Sequence, residues 1–123
     1  MAEIISRPLD LSRIVEVIRG TGFPCFGLDM GRDEVAENPS FFLYSDDGGL
    51  SPGTHANQYK RAFTVMFVTR ERASFDDVGL IERLKDCRLI FDSSEIDKGN
   101  LVNTDEQATA TTLNFHQLIR IER

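Results

Sequence analysis

Two stretches of alternating side chains constrain this chain more than anything else in it: "QYKRAFTVMFVTRE", Gln58 to Glu71, and "ATATTLNFHQLIRIE", Ala108 to Glu122. Successive side chains of a strand point to opposite faces, so a period of two sorts residues between a covered and an open side. The first stretch puts Tyr59, Phe63, Val65 and Phe67 on one face, interrupted only by Arg61, with Ala62, Thr64, Met66 and Val68 on the other. The second groups Thr111, Leu113, Phe115, Ile119 and Ile121 opposite Thr112, Asn114, His116 and Arg120, with Leu118 the exception. Each strand buries one face and tolerates partial exposure of the other, so it needs a covering layer.

Two helical patterns supply that layer. Leu11, Ile14, Val15 and Ile18 form an apolar stripe behind Asp10, a plausible N-cap, and Gly20 and Gly22 stop it because glycine takes left-handed backbone angles freely. Val17 falls off the stripe. Ser74 with Asp77 resembles a capping box ahead of a second helix, whose inward stripe is Leu80, Ile81, Leu84 and Cys87, with Glu82, Arg83, Lys85 and Asp86 outward. "FPCFGLDM", Phe23 to Met30, reads as a short strand, "GRDEVAENP" as a turn-rich break, and "SFFLYS", Ser40 to Ser45, as a compact strand. "RLIFDSSEIDKGNLVNTDE" reads as a weak strand or irregular segment, with a turn at Lys98-Gly99-Asn100.

This order predicts one α+β domain over residues 1–123, a two-layer sandwich. Its sheet is mostly antiparallel and mixed, of about four to five strands, with two helices on one face and a long hairpin loop. A hydrophobic fraction of 41% with 28% charged residues is enough for one core. There are no repeats and no linkers.

The charge balance narrows the partners. A net charge of −6 argues against tight binding to a phosphate backbone, which needs a Lys/Arg surface. Cys25 and Cys87 belong to no C-x-x-C pair and read as reduced, small core residues, with Cys87 on an inward helical stripe. The start "MAEIISRPLD" lacks the apolar segment of a signal peptide, and nothing approaches the ~18 apolar residues of a membrane span. The expectation is a domain made in the cytoplasm, with no membrane partner.

Chemistry is scarce. "DDGGLSPGTH" lacks the Gly-Lys-Ser/Thr ending of a phosphate loop, and Asp46 and Asp47 lack calcium-loop spacing. His55 and His116 stand without partners at metal-ligand spacing and read as surface residues. Ser51 near His55 would sit on a mobile loop, a poor place for a nucleophile and its base. The expectation is no enzyme, no metal and no cofactor. Arg61 stands out because it breaks an apolar face: it either snorkels from the sheet edge or pairs with a neighbouring subunit.

The element order resembles the tail-terminator, or tail-completion, proteins of long-tailed bacteriophages. The matching pieces are "LSRIVEVIRG", "SFFLYSDDGGL", "YKRAFTVMFVTRERASFDDVGLIERLKD" and "ATTLNFHQLIRIER", so the resemblance spans nearly the whole chain. "FPCFGLDMGRDEVAENP" has no counterpart in it. The resemblance implies a homo-oligomeric ring, usually a hexamer, at the head–tail junction of the virion. Such a ring caps the tail tube, stops its elongation and offers a face to the head connector, while DNA passes without sequence-specific binding. It further suggests that the long Ser45–Gln58 loop is a docking arm for the tube protein or an adjacent subunit. Asp46, Asp47, Gly48, Gly49, Leu50, Ser51, Pro52 and Gly53 form that arm, with Leu50 as apolar tip and Pro52 limiting the entropy lost on ordering. A passive surface insertion is the other reading of the loop. The alternatives for the whole chain are another neck protein, a stopper or adaptor, or a small-ligand-binding ferredoxin-like module.

Overall fold

The two alternating stretches pair with each other. In the computed structural model, which describes residues 3–4, 8–27, 37–46, 48–100 and 107–122, they are β5 (Gln58–Thr69) and β7 (Gln107–Glu122). Their antiparallel ladder runs unbroken from Gln58 opposite Arg120 to Thr69 opposite Thr109. Phe63 therefore faces Phe115 and Val65 faces Leu113 on one side of the sheet.

The remaining elements are β1 (Glu3–Ile4), α1 (Leu11–Arg19), β2 (Cys25–Gly27), β3 (Ser40–Ser45), β4 (Leu50–Pro52), α2 (Asp77–Lys85) and β6 (Ile90–Asn100). β3 and then β4 lie along one edge of β5, and β2 pairs parallel with β3. β6 flanks β7 on its far side, and β1 adds two residues at the end of β7. The sheet is open, mixed and antiparallel apart from β2–β3, as the sequence led us to expect. Among the described residues it has seven strands where four to five were expected, because β1 and β4 are too short to show as hydrophobic runs.

Both helices cover one face. Ile14 and Ile18 of α1 and Leu80 and Leu84 of α2 are fully buried against Phe42, Phe63, Val65, Phe67, Leu113 and Phe115. At one end of this core four rings meet: Phe67 lies 4.8 Å from Phe42 and from Phe75 and 4.9 Å from Phe23, centroid to centroid. Ser40 and Thr69 close the same end as a buried polar pair. Their hydroxyls are 2.7 Å apart, and Ser40 donates onward to the Glu71 carboxylate at 2.8 Å, which leaves neither hydroxyl unsatisfied.

The caps differ in detail from the sequence reading. Asp10 caps α1 by accepting from the Arg13 amide at 3.2 Å. Gly20 is right-handed at φ −62°, whereas Gly22 at φ +98° carries the left-handed turn. Asp76, not Ser74, caps α2, accepting from the Gly79 amide at 3.0 Å. Lys98, Gly99 and Asn100 form no turn; they remain paired with Thr109, Ala108 and Gln107. The "LDM" end of the expected first strand and residues 31–36 of the turn-rich break lie outside the described residues. Among the described residues no helix is long and apolar enough to cross a membrane.

Cys25 and Cys87 are free and buried. Burial pushes the Cys25 thiol up from 9.0 to about 11, against a smaller opposing pull from Arg19. Burial also raises Cys87, partly offset by Arg13. The folded thiol of Cys25 thus stays protonated while the unfolded one ionises. Its contribution to stability is complete below pH 9 and is lost as pH rises towards about 11. Unfolding free energy measured against pH should fall in that window, and alkylation of Cys25 at pH 8 should require unfolding.

Candidate functional site

The stretch expected as one long loop is mostly built into the sheet. Ser45 pairs with Thr64 and Leu50 with Arg61, so Asp46, Gly48 and Gly49 belong to a bulge opposite Ala62 and Phe63. The Ala62 amide donates to the Gly49 carbonyl at 3.0 Å, which holds the bulge on β5. At Gly48 the approach is so close that a Cβ would collide with the Ala62 carbonyl and Cβ, so only glycine fits. β4 follows, and the connection is then completed by a short turn over residues 53–57. The Gly53 amide donates to the Gln58 carbonyl and the Gln58 amide to the His55 carbonyl, each at 3.0 Å. The long loop expected from Ser45 to Gln58 is therefore, among the described residues, a bulge, a strand and a turn. Glycine and aspartate content reads as loop from sequence, but here it serves the bulge.

The bulge borders an open cleft of about 390 Å³ at this end of the helix-covered face. Its apolar walls come from Leu9 and Leu11 ahead of and within α1, Phe63 of β5 and Ile119 of β7, with the exposed Ile4 at the rim. Three polar residues also line it: Arg61, Asp46 and Gln117. Arg61 is half-buried, because its position on β5 points it to the covered side, into the cleft that it shares with Leu11 at the start of α1. Its guanidinium donates to the Gly48 carbonyl over a long 3.4 Å.

The structure thus brings together residues that the sequence reading kept apart. Asp46 and Arg61 line one cleft, Gly48 accepts from Arg61, and Leu50, 53% exposed, stands opposite Arg61 in register. Gly49, Ser51 and Pro52 are exposed beside them, Gly53 opens the turn, and Asp47 lies outside the described residues.

Two features were not legible. β6, expected as a weak strand or irregular segment, is an eleven-residue strand whose residues 90–99 are all exposed, with Ile96 at 66%. A bulge at Asp92 hides its alternation. Phe91 sits over Phe115 on the covered face, and after the extra residue Ser94 and Ile96 take that face instead. The second is His116, expected at the surface but buried. Its Nδ1 lies 2.8 and 2.9 Å from the two carboxylate oxygens of Asp92. A carboxylate accepts, so Nδ1 carries the proton. No local signal joins residues 24 apart. Replacing Asp92 by alanine should cost about 1 kcal/mol by urea unfolding, with Asp92→Asn nearer wild type, since an amide oxygen still accepts.

No protein-family model matches this chain, and no curated protein does. Another cavity, about 250 Å³, lies at the far end of β5, lined by Thr69, Arg70, Arg72 and Lys98 with residues 107–109 of β7. It gathers three cations in an acidic chain and favours an anionic group over a neutral one. Among the described residues no group of three or more His, Cys, Asp or Glu side chains is placed to hold a metal.

Proposed function

We propose that this chain is a structural virion protein of the head–tail junction of a long-tailed bacteriophage. It is a subunit of a ring, six copies in its commonest form, that caps the tail tube, stops tube elongation and offers a surface for head attachment. In this reading it is no enzyme and uses no cofactor. The observation that carries the reading is β6: a strand edge of eleven residues, exposed throughout the described side chains, with Ile96 and Phe91 uncovered. Soluble proteins normally shorten or cover such edges because they template association. A subunit built to associate has a use for one. The net charge of −6 suits DNA passing through the ring without adhering.

The test is native mass determination with electron microscopy, on the chain alone and mixed with tail-tube subunits. Rings seated on tube ends, with growth arrested, are the expected outcome. A chain that stays monomeric at high concentration beside assembled tubes overturns the reading. Binding to the portal side instead makes it a stopper or adaptor.

The cleft around Arg61 supports a second reading, a module binding a small anionic ligand with an apolar tail. Under that reading, small carboxylates should raise the melting temperature of the wild type and leave Arg61→Ala unmoved.

A further inference from the structure

We propose that the two edges of the sheet are complementary, and that β6 of one copy packs antiparallel against β4 of the next, head to tail. The inference rests on the self-association in the ring reading and names the surfaces that perform it.

The sheet is open, with β6 at one edge; on the other side β2 is outermost beside β3, while among the described residues no strand lies beyond β4. The edges differ in charge. On β6, Glu95 and Asp97 project from the face opposite the helices, Ile96 projects from the helix-covered face, and Lys98 follows Ile96 on that face. On the other edge Ser51 sits beside Lys60 on the open face, and the exposed Leu50 sits beside Arg61 on the covered face. With both copies in one orientation, the carboxylates of Glu95 and Asp97 lie beside the small Ser51 on the open side, and the long Lys60 side chain reaches towards them across it. On the covered side Ile96 meets Leu50. Each surface finds its opposite, apolar on apolar and acid on base.

The symmetric alternatives are worse. Two β6 edges paired about Ile96 would set Glu95 against Asp97 of the other copy, and two β4 edges would pair only three residues a side and leave both β6 edges uncovered. Like charges across strands repel, so the contact is heterologous, the kind that closes into rings or runs on as filaments.

Strand direction agrees. β4 runs against β5, β5 against β7 and β7 against β6, so neighbouring copies present β6 and β4 antiparallel. Ser51 and Lys60 form a hydrogen-bonded pair, because Gly53 already donates to Gln58 in the same register. The Leu50 amide and carbonyl and the Pro52 carbonyl therefore point outward, and Pro52 has no amide to add. The new ladder is short, and the side chains carry most of the contact. Leu50 lies level with Arg61, and Ile96, through Thr111, with Phe67, six residues further along β5. At about 3.3 Å per residue successive copies are staggered by roughly 20 Å. Strands tilted to the closing axis, as in closed barrels, absorb such a stagger.

Cysteine pairing tests the arrangement, since the native Cys25 and Cys87 are buried. Leu50→Cys and Ile96→Cys chains, mixed under mild oxidation, should give a disulfide-linked dimer of the two variants. The double variant should give a covalent ladder, and either single variant alone should give no product. Cross-linking of a single variant to itself overturns the head-to-tail pairing. Rings by native mass without any cross-link overturn it too, while leaving the ring reading intact. Monomers throughout overturn both. A charge exchange supplies a second measure: Glu95→Lys with Asp97→Lys should weaken association about tenfold or more, and adding Lys60→Glu should restore most of it. Failure of that rescue, with circular dichroism unchanged, counts against the pairing.

Discussion

Replacing Phe67 by alanine should cost about 3–5 kcal/mol of folding free energy, the range for removing a buried phenyl ring. The side chain is 2% exposed and touches rings from three other parts of the chain: Phe23 before β2, Phe42 of β3 and Phe75 before α2. The cavity left behind has little room to collapse. β5 is held by β3 on one side and by twelve residue pairs with β7 on the other, so the backbone cannot move in. Domains of this size are stable by only about 5–15 kcal/mol, so the variant would lose a large share of the total. Urea unfolding would show the midpoint falling at unchanged slope. Val68→Ala, one residue along and on the less covered face, should cost no more than about 1.5 kcal/mol. Equal costs at the two positions would mean that the face assignment of β5 is wrong.

Gly48→Val should cost about 1–3 kcal/mol, through overpacking and not through a cavity. Any Cβ at this position meets the Ala62 carbonyl and Cβ, and both belong to a strand paired on its other side with β7. The bulge must lift. The Ala62–Gly49 hydrogen bond goes first, and with it the Arg61 contact to the Gly48 carbonyl. Hydrogen exchange at the Ala62 amide should accelerate well beyond the change in global stability. Gly49→Ala is the control: a Cβ there meets nothing within 4 Å, so stability should be unchanged or slightly higher. If Gly48→Val is as silent as Gly49→Ala, the bulge is not held against β5, and the cleft loses the wall that it forms beside Arg61.

Much of the architecture was readable because it depends on short-range periodicity. The alternation of β5 and β7 announced one buried face, and the stripes of Ile14 and Ile18 and of Leu80 and Leu84 announced what would cover it. Periodicity fails where the backbone breaks it. The extra residue at Asp92 shifts the face of everything after it, so β6 read as a weak strand or irregular segment although it is long and paired on both sides of the bulge. β4 has three residues, all exposed, and such a strand carries no hydrophobic pattern. Its existence depends on β5 offering hydrogen bonds to it.

The candidate site belongs to the same class of facts. Arg61 was visible as a charge on an apolar face, and Leu50 as an apolar residue in a polar stretch. Their alignment across β4 and β5, the cleft beside them and the Asp92–His116 pair are set by register, which joins residues far apart in the chain. The sequence alone determined which faces must be buried, because apolar spacing is a local property. Only the tertiary structure decided which edges remain open and what charge each carries. That follows from which strands end up outermost, and no single strand encodes its own place in the sheet.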